Sequence, residues 1–442
     1  MRKPFLDSLD HLKEDIIRES LDLISIPSIT HDVVANQQCL AYLENLALAS
    51  GLTVRYTPEK DCLVISLGEG SESVGILAHV DVVAIGDPDK WETPPFEGQF
   101  DGQTLIGRGA MDDKVPVVII FNLIKALSQL NHPFKRSIQF IIGTKEEEEW
   151  TDMANYLAHF TPPDVSFTPD GGFPIHNIEK GYGDVVLSWP LPSCFSGGKL
   201  LSIHSGDSPN TIPSKGLASF ELKESSQPIT LASSGQSSHS SLPKNGENAL
   251  TQLSLKILEQ AIDYPQLNRI MTFISQMHGD YTGAFLGFKN EVLHYNEEYI
   301  GKTYANPTCL SYENDTLSLT INIRHKWGTT KEDILTLFQS HSETYGFKYH
   351  LGNYLDPLYV SREHPLFQVM SDAYTEVTGL PGGFALAGGT SYAKALPNAV
   401  SWGPVFPGEK DTCHQENEKI HIDSVMKCLH IYGQFLFDAC MA

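Results

Sequence analysis

Histidine and acidic side chains interrupt segments of this sequence that are otherwise apolar. His79 and Asp81 lie in residues 75–83, an apolar run that predicts a buried β-strand. Two positions apart on a strand, their side chains would share one face. Burying an imidazole and a carboxylate together costs several kcal/mol unless something compensates, and either a mutual hydrogen bond or a metal ion would do so. The pair alone leaves both interpretations open.

A loop with two adjacent carboxylates follows this strand. Residues 107–114 read GRGAMDDK, and the apolar run 115–127 behind them predicts a helix with Pro116 in its first turn. The two glycines allow a tight turn that can present a carboxylate to a buried site. Asp112 and Asp113 are equally suited to capping the N-terminus of the helix. The loop by itself does not decide between a cation ligand and a helix cap.

Further acids and a histidine occupy other polar segments. Residues 146–149 are four glutamates that follow the predicted strand 138–142. Such a run is usually a solvated face, but one glutamate here could bind a cation while its neighbour acts as a general base. Asp170 follows another short predicted strand, and His414 lies in a polar loop, where a histidine on its own indicates only surface.

The elements that hold these residues predict an α/β catalytic domain. Strands alternate with helices over residues 1–180, which indicates a mainly parallel sheet flanked by helices. Such sheets place their sites beyond the carboxyl ends of the strands, where His79, Glu146, Glu147 and Asp170 lie. We therefore expect these four side chains to meet at one edge of the sheet.

A second domain is predicted inside the first. After residue 180 the sequence changes to Ser-, Gly- and Pro-rich segments with alternating strands, and helical periodicity returns at residues 365–378. We therefore assign residues 1–180 and 359–442 to the catalytic domain and residues 181–358 to an inserted α+β domain.

Charge and composition argue against several classes of partner. The formal charge of −23, with no basic run to offset it, disfavours binding to nucleic acid or to an anionic membrane. No apolar run approaches the ~20 residues of a membrane-spanning helix, and the first residues show no apolar core of signal-peptide length. Seven scattered cysteines without a C-x-x-C pair indicate reduced thiols. We expect a cytoplasmic protein, a monomer rather than a dimer, whose partner is a small molecule.

The order of these segments resembles that of the cocatalytic dizinc metallopeptidases of the aminoacylase and carboxypeptidase group. The segments that match are HVD (79–81), PPFEG (94–98) after Trp91, GRGAMDDK (107–114), GTKEEEEW (143–150), FTPD (167–170), GGT (388–390) and residues 406–418. Each motif is weak evidence by itself, whereas the ordered set spans most of the chain. The Asp-Asp-Lys, Phe-Thr-Pro-Asp and His-Gln-Glu-Asn-Glu segments are most similar to the bacterial dipeptidases of the Xaa-His or carnosine-hydrolysing type. The resemblance implies a zinc-exopeptidase-like catalytic domain with an inserted lid domain.

The resemblance implies a site for two Zn²⁺ ions, with Asp112 bridging them. His79 and Asp170 complete the first site, and Glu147 and His414 complete the second. Oxygen and imidazole ligands suit zinc, although Mn²⁺ or Co²⁺ also occupies such sites. In this family the peptide bond between the two adjacent aspartates of the loop is cis, and the resemblance implies the same here.

The resemblance also implies roles for five other residues. Glu146 is the general base, and Asp81 orients the histidine of the first metal site. His239, in a segment similar to the family's Gly-x-x-x-His, stabilises the oxyanion. Asn210 contacts the substrate, and Arg324 holds a substrate carboxylate as a fork. The implied reaction is metal-assisted hydrolysis of a peptide bond in short peptides.

The sequence departs from the family pattern beside the predicted base. Lys145 stands where the family usually carries Asp, and Glu148 and Glu149 replace small residues. No proposed ligand is lost, so we expect activity, but the substrate stays open. A dipeptidase is the leading hypothesis. A deacylase or desuccinylase of N-acyl amino acids would use the same chemistry, and an inactive binding protein on this fold is the remaining alternative.

Overall fold

The computed structural model describes residues 1–130, 132–225 and 227–442. These residues form two units. Unit 1 comprises Met1–Asn177, Val360–Ala387 and Ser391–Ala442, and unit 2 comprises Ile178–Tyr359 and Gly388–Thr390. The first predicted boundary, after residue 180, lies three residues from the end of the first segment of unit 1. The second, after residue 358, lies one residue from the end of the main segment of unit 2.

The described residues form helices in both units. The α-helices are α1 (Arg2–Ser8), α2 (Lys13–Ile24), α3 (Val33–Ala49), α4 (Lys114–Ser128), α5 (Thr151–His159), α6 (Ala249–Glu259), α7 (Pro265–Ser275), α8 (Lys331–Tyr345), α9 (Pro365–Thr378) and α10 (Ile422–Cys440). Within the described part of the chain, none of the helices has the length and apolar character that crossing a membrane requires.

Strands occur along the whole chain. They are β1 (Thr53–Tyr56), β2 (Cys62–Leu67), β3 (Ser73–His79), β4 (Gln99–Phe100), β5 (Thr104–Ile106), β6 (Ser137–Gly143), β7 (Val165–Thr168), β8 (Ile175–Glu179), β9 (Gly181–Pro190), β10 (Cys194–Phe195), β11 (Gly198–Ser205), β12 (Thr211–Ile212), β13 (Lys215–Leu222), β14 (Ile229–Ser234), β15 (Ser238–His239), β16 (His294–Tyr295), β17 (Glu298–Tyr299), β18 (Tyr304–Glu313), β19 (Thr316–His325), β20 (Lys348–Leu355), β21 (Leu358–Tyr359), β22 (Phe384–Ala387), β23 (Ala399–Ser401) and β24 (Lys419–His421).

The main sheet of unit 1 has a parallel centre. Its strand order is β1-β2-β6-β3-β7-β23, and the four strands β6, β3, β7 and β23 run parallel to one another. β1 and β2 extend one side in the antiparallel sense, and His176 of β8 pairs antiparallel with Ser401 on the other side. The central strands are apolar and almost wholly buried, as expected for a sheet that helices cover on both faces. The predicted α/β class is confirmed.

Helix α4 lies behind the strands that carry the candidate site. It contacts β3, β6, α2 and α10, and its residues from Lys114 to Ile124 are all buried. The Lys114 ammonium donates hydrogen bonds to the carbonyl oxygens of Leu23 (3.1 Å) and Ile26 (2.6 Å), which satisfies a cation inside the protein. A helix that is buried all round fixes the loop that precedes it, and this loop carries the two adjacent aspartates.

The strand that carries the first candidate ligand is shorter than its apolar run predicts. β3 ends at His79, because its partner β6 ends at Gly143, the residue paired with His79, and then leaves the sheet. Asp81 therefore lies beyond the strand. The prediction that the two side chains share one strand face was wrong, and their relation depends on the loop.

Unit 2 is built on an antiparallel sheet of order β14-β13-β11-β18-β19-β9-β20. Alternate residues of β19 from Leu317 to Ile323 are fully buried, as their period of two predicts. They join one apolar cluster with Leu253 of α6, Phe273 of α7 and Phe338 of α8. The inserted segment thus has the predicted α+β architecture, with helices on one face of its sheet.

Candidate metal centre

The carboxyl ends of three neighbouring parallel strands supply most of the centre. His79 is the last residue of β3 and pairs with Gly143, the last residue of β6. Glu146 and Glu147 follow β6, and Asp170 follows β7. Because these strands run parallel side by side, the residues after them meet at one edge of the sheet. This is the arrangement that the sequence predicts.

The carboxylate of Asp112 lies between two imidazoles. Its Oδ1 is 3.0 Å from His79 Nε2, and its Oδ2 is 3.0 Å from His414 Nε2. His414 Nε2 is also 3.0 Å from Glu147 Oε1, and His79 Nε2 is 3.9 Å from Asp170 Oδ2. The peptide bond that follows Asp112 is cis, as the resemblance implies. One carboxylate thus presents one oxygen to each of two ligand groups.

The ligand atoms fall into two groups. His79, Glu146 and Asp170 offer atoms within 4.8 Å of one another, and Asp112, Glu147 and His414 do the same. Glu146 therefore lies among candidate ligands, although the resemblance assigns it the role of base.

Buried polar atoms in these groups lack hydrogen-bond partners. They are His79 Nε2, Asp112 Oδ1 and Glu146 Oε1. His79 Nε2 and Asp112 Oδ1 are near each other but do not have the geometry of a hydrogen bond. Leaving such atoms unsatisfied is costly, and a cation placed among imidazole nitrogen and carboxylate oxygen would satisfy them. The donor set therefore fits a divalent metal.

Burial and charge shift the pKa values of the cluster. Burial opposes ionisation of Asp112, but the imidazoles of His414 and His79 outweigh it and hold the pKa of this carboxyl well below its usual range. Burial raises the pKa of Glu146, and the charge of Asp170 raises it further. Burial and then the charge of Asp112 likewise raise the pKa of Asp170. The carboxylates outnumber the histidines, and divalent cations would balance the excess negative charge.

Asp81 contacts both His79 and the loop of glutamates at residues 146–149, here called the glutamate loop. Its backbone oxygen is 2.9 Å from His79 Nδ1, which must be the donor because a carbonyl only accepts. In a neutral imidazole this leaves the lone pair on Nε2, facing Asp112. The Asp81 carboxylate accepts hydrogen bonds from the backbone N–H groups of Glu146 (3.1 Å) and Glu147 (3.3 Å), and its Oδ1 is 3.4 Å from His79 Nδ1. Asp81 therefore positions two strand-end segments.

Two further buried acids hold the centre and were missed by the sequence reasoning. Asp113 occupies the N-cap position of α4 but makes no capping bond, and its Oδ2 instead accepts from the backbone N–H of His79 at 3.3 Å. Asp152 Oδ2 accepts from the backbone N–H groups of Thr144 (2.7 Å) and Lys145 (2.9 Å). No sequence signal marks these roles, because an acid that binds backbone amides depends on the path of a loop. The helix-cap interpretation of Asp113 is wrong in this respect.

The residues predicted to contact substrate form a cluster of their own in unit 2. The N–H of Ser240 donates to the backbone oxygen of Asn210 at 2.8 Å, and Arg324 Nε donates to Ser240 Oγ at 3.3 Å. His239 precedes Ser240, and its Nδ1 is 2.6 Å from Ser241 Oγ. Three residues that are distant in sequence are therefore joined through one serine.

Arg324 is a buried cation of this cluster. It is 6 % exposed and lies over the ring of Tyr182, with 4.5 Å between Cζ and the ring centroid. Among the residues that the structure describes, no carboxylate lies within 4.0 Å of its guanidinium. Burial lowers the pKa of this guanidinium, and the nearby Tyr182 and Asp184 side chains offset part of that effect.

Comparison with known proteins gives the family. The sequence profile described as "Peptidase family M20/M25/M40" matches residues 75–438, a span that includes all the candidate ligands. The chain belongs to this family of peptidases and is a hydrolase. Among curated relatives, "Putative dipeptidase YtjP" of Bacillus subtilis is 30% identical over an alignment of 465 positions that spans 96% of this chain and 97% of the relative.

Solved structures share the fold. An aminoacylhistidine dipeptidase from Vibrio alginolyticus superposes with a TM-score of 0.63 at 15% identity, covering 95% of this chain and 96% of that chain. A Bacillus subtilis protein described as a dinuclear metal binding peptidase of the same family gives a TM-score of 0.56 at 13% identity, covering 96% and 98% of the two chains. At this level of identity the similarity shows the fold alone. The predicted family is confirmed by the profile and the curated relative.

Proposed function

We propose that this protein is a dipeptidase that works with two divalent metal ions, zinc in the first place and Mn²⁺ or Co²⁺ as alternatives. One observation carries the proposal: the Asp112 carboxylate directs one oxygen to His79 and the other to His414. A bridging carboxylate between two ligand groups is what a dinuclear centre needs. The B. subtilis structure described as a dinuclear metal binding peptidase supports the same assignment.

The residues would divide the work as follows. His79, Asp112 and Asp170 would hold one ion, while Asp112, Glu147 and His414 would hold the other. When bound, the ions would polarise the scissile carbonyl and make water a stronger acid. His79 and Asp112 are buried, and hydrogen bonds hold the backbone of Glu147 and Asp170, so most of the ligands would be in place before substrate arrives.

Glu146 is the general base of this proposal. It would accept the proton of the attacking water and return it to the departing amine. Its buried Oε1 has no hydrogen-bond partner, so this oxygen is available to accept the proton and to give it back. The backbone holds it in place, since Asp81 accepts from its N–H (3.1 Å) and Trp150 Nε1 donates to its carbonyl oxygen (2.6 Å).

We assign substrate contacts to the cluster around Ser240. The guanidinium of Arg324 would bind the C-terminal carboxylate of the substrate, which supports small peptides with a free C-terminus as the substrate class. Asn210 and His239 would contact the substrate backbone, with His239 at the developing oxyanion. The curated relative named a dipeptidase favours dipeptides over N-acyl amino acids, although both would offer a carboxylate to Arg324.

A substrate panel tests this proposal. With Mn²⁺ or Zn²⁺ supplied, we expect hydrolysis of dipeptides, including β-alanyl-histidine, and no hydrolysis after the metal is chelated. Dipeptide amides should lose about 10- to 100-fold in kcat/KM, because a charged hydrogen bond of ~1.5–3 kcal/mol is lost. Arg324→Met should remove this preference for the free acid, whereas Arg269→Met, at an exposed arginine of the same unit, should keep it.

The panel also includes tripeptides and N-acyl amino acids. Cleavage confined to N-acyl amino acids would replace the dipeptidase assignment with that of a deacylase or desuccinylase. Metal binding without cleavage of any member would indicate the inactive binding protein.

A further inference from the structure

Glu418 is a fully buried acid that the proposed chemistry does not use. Its Oε1 accepts hydrogen bonds from the backbone N–H groups of Met111 (2.7 Å) and Asp112 (3.0 Å), and its Oε2 accepts from that of Gly109 (3.1 Å). It therefore binds the backbone of the loop that presents the Asp112 carboxylate. Asp112 and Glu418 are 306 positions apart in the chain.

Arg108 compensates the charge of this acid. Its Nη1 donates to Glu418 Oε2 at 2.7 Å, and its Nη2 donates to the carbonyl oxygen of Ala84 at 3.1 Å. The guanidinium also lies over the ring of Trp91, 5.4 Å from the centroid, and Arg108 is 1 % exposed. Four N–H groups thus converge on two carboxylate oxygens in a site that excludes water. An amide cannot replace this acceptor, because its NH₂ group would face two donors.

The segment that contains Glu418 also carries His414. Lys419 N–H donates to Thr412 Oγ1 at 3.1 Å, and Thr412 Oγ1 donates to the carbonyl oxygen of Lys419 at 3.0 Å, which closes the loop 412–419. The backbone of Glu418 also accepts from the N–H of Gly107 at 3.0 Å. Both the backbone and the side chain of Glu418 therefore attach the His414 loop to the Asp112 loop.

We propose that Glu418 is a positioning residue that sets the Asp112 carboxylate against His414 and so controls binding of both metal ions. The inference rests on the proposed dinuclear function. Because Asp112 contributes one oxygen to each ligand group, a shift of its backbone affects both groups together. A residue that only supported the fold would alter the unfolding midpoint without changing metal affinity.

Glu418→Gln tests the proposal, with Glu416→Gln as the control. Glu416 lies in the same loop and carries the same charge, but its Oε1 accepts from the N–H of Asp87 (3.3 Å) at the protein surface. We expect competition with a chromophoric chelator to show about 10- to 100-fold weaker binding of both Zn²⁺ ions in Glu418→Gln, the range typical of residues that orient ligands. The visible spectrum of the Co²⁺ protein should change in Glu418→Gln and not in the control. Unchanged affinity and spectrum, or loss at one site alone, would overturn the proposal.

Hydrogen exchange on the unmodified protein provides a second measurement that does not depend on folding of a variant. With Glu418 as anchor, the amide hydrogens of Gly109, Met111 and Asp112, which donate to its carboxylate, should exchange slowly even in the metal-free protein. Fast exchange that slows only when Zn²⁺ is added would show that metal, not Glu418, orders the loop. If the unmodified protein binds no Zn²⁺ at all, the proposed function fails, and the exchange result still reports on the anchor separately.

Discussion

Replacing Asp112 with alanine should remove both metal ions together, not one. The reason is that its carboxylate reaches both ligand groups: Oδ1 is 3.0 Å from His79 Nε2, and Oδ2 is 3.0 Å from His414 Nε2. Without the bridge, each ion keeps only two of the three ligands that the proposal assigns to it, and the two ions would repel each other without a shared anion between them. Metal analysis after gel filtration should show about two ions per chain in the unmodified protein and almost none in Asp112→Ala.

Hydrolysis should also fall in Asp112→Ala, because the metal ions are lost. Because the ions supply several kcal/mol of transition-state stabilisation, kcat/KM should drop by about 1,000-fold or more. Asp89→Ala, at an exposed aspartate, should retain both ions and full activity. His414→Ala should lose chiefly one ion, which separates a terminal ligand from a bridging one. An Asp112→Ala protein that keeps one ion at unchanged affinity would contradict the bridging role.

Glu146→Gln should keep both metal ions, unlike Asp112→Ala, but should lose most of the hydrolysis. Glutamine has nearly the shape of glutamate but cannot accept a proton from water, so kcat should fall by about 100- to 10,000-fold. Glu149→Gln removes an exposed charge from the same run and should leave kcat unchanged. Single-turnover kinetics together with metal analysis separate the two effects.

The place of Glu146 among candidate ligands makes this experiment decisive. Its carboxylate lies within 4.8 Å of ligand atoms of His79 and Asp170. Loss of an ion in Glu146→Gln would make it a ligand, and a fully active variant would mean that another group is the base.

The sequence was most informative where regular elements place residues. Period and composition predicted the parallel centre of the sheet, and from it the meeting of His79, Glu146, Glu147 and Asp170 at one edge. The prediction for Asp81 was wrong, because strand length depends on where the neighbouring strand ends, which a local apolar run does not report. The α/β class could therefore be predicted, but the contacts beyond the strand ends could not.

Loop residues required other information. His414 is 48 % exposed in its side chain and lies more than 200 residues after β7 in the sequence, so no periodicity could bring it to Asp112. Only the resemblance of its segment to the dipeptidase motif pointed to it. The roles of Asp113, Asp152 and Glu418 had no sequence signal, since each binds backbone N–H groups whose direction is set by the folded loop.

The substrate residues stay predictions. Asn210, His239 and Arg324 are joined around Ser240 in unit 2, which is consistent with a common role. Lys145, which replaces the family's usual Asp, has its N–H bound by Asp152 at 2.9 Å, so the departure leaves the backbone of the glutamate loop anchored. This explains why the substitution need not disturb the metal ligands.

Metal titration of the metal-free protein tests the central claim most directly. Zn²⁺ or Mn²⁺ is added in fractions of an equivalent while bound metal and hydrolysis of a dipeptide are followed in the same sample. The dinuclear assignment predicts that binding saturates at about two ions per chain and that hydrolysis reaches its maximum at the same point. Full hydrolysis by the metal-free protein, or no binding of either metal, would contradict it.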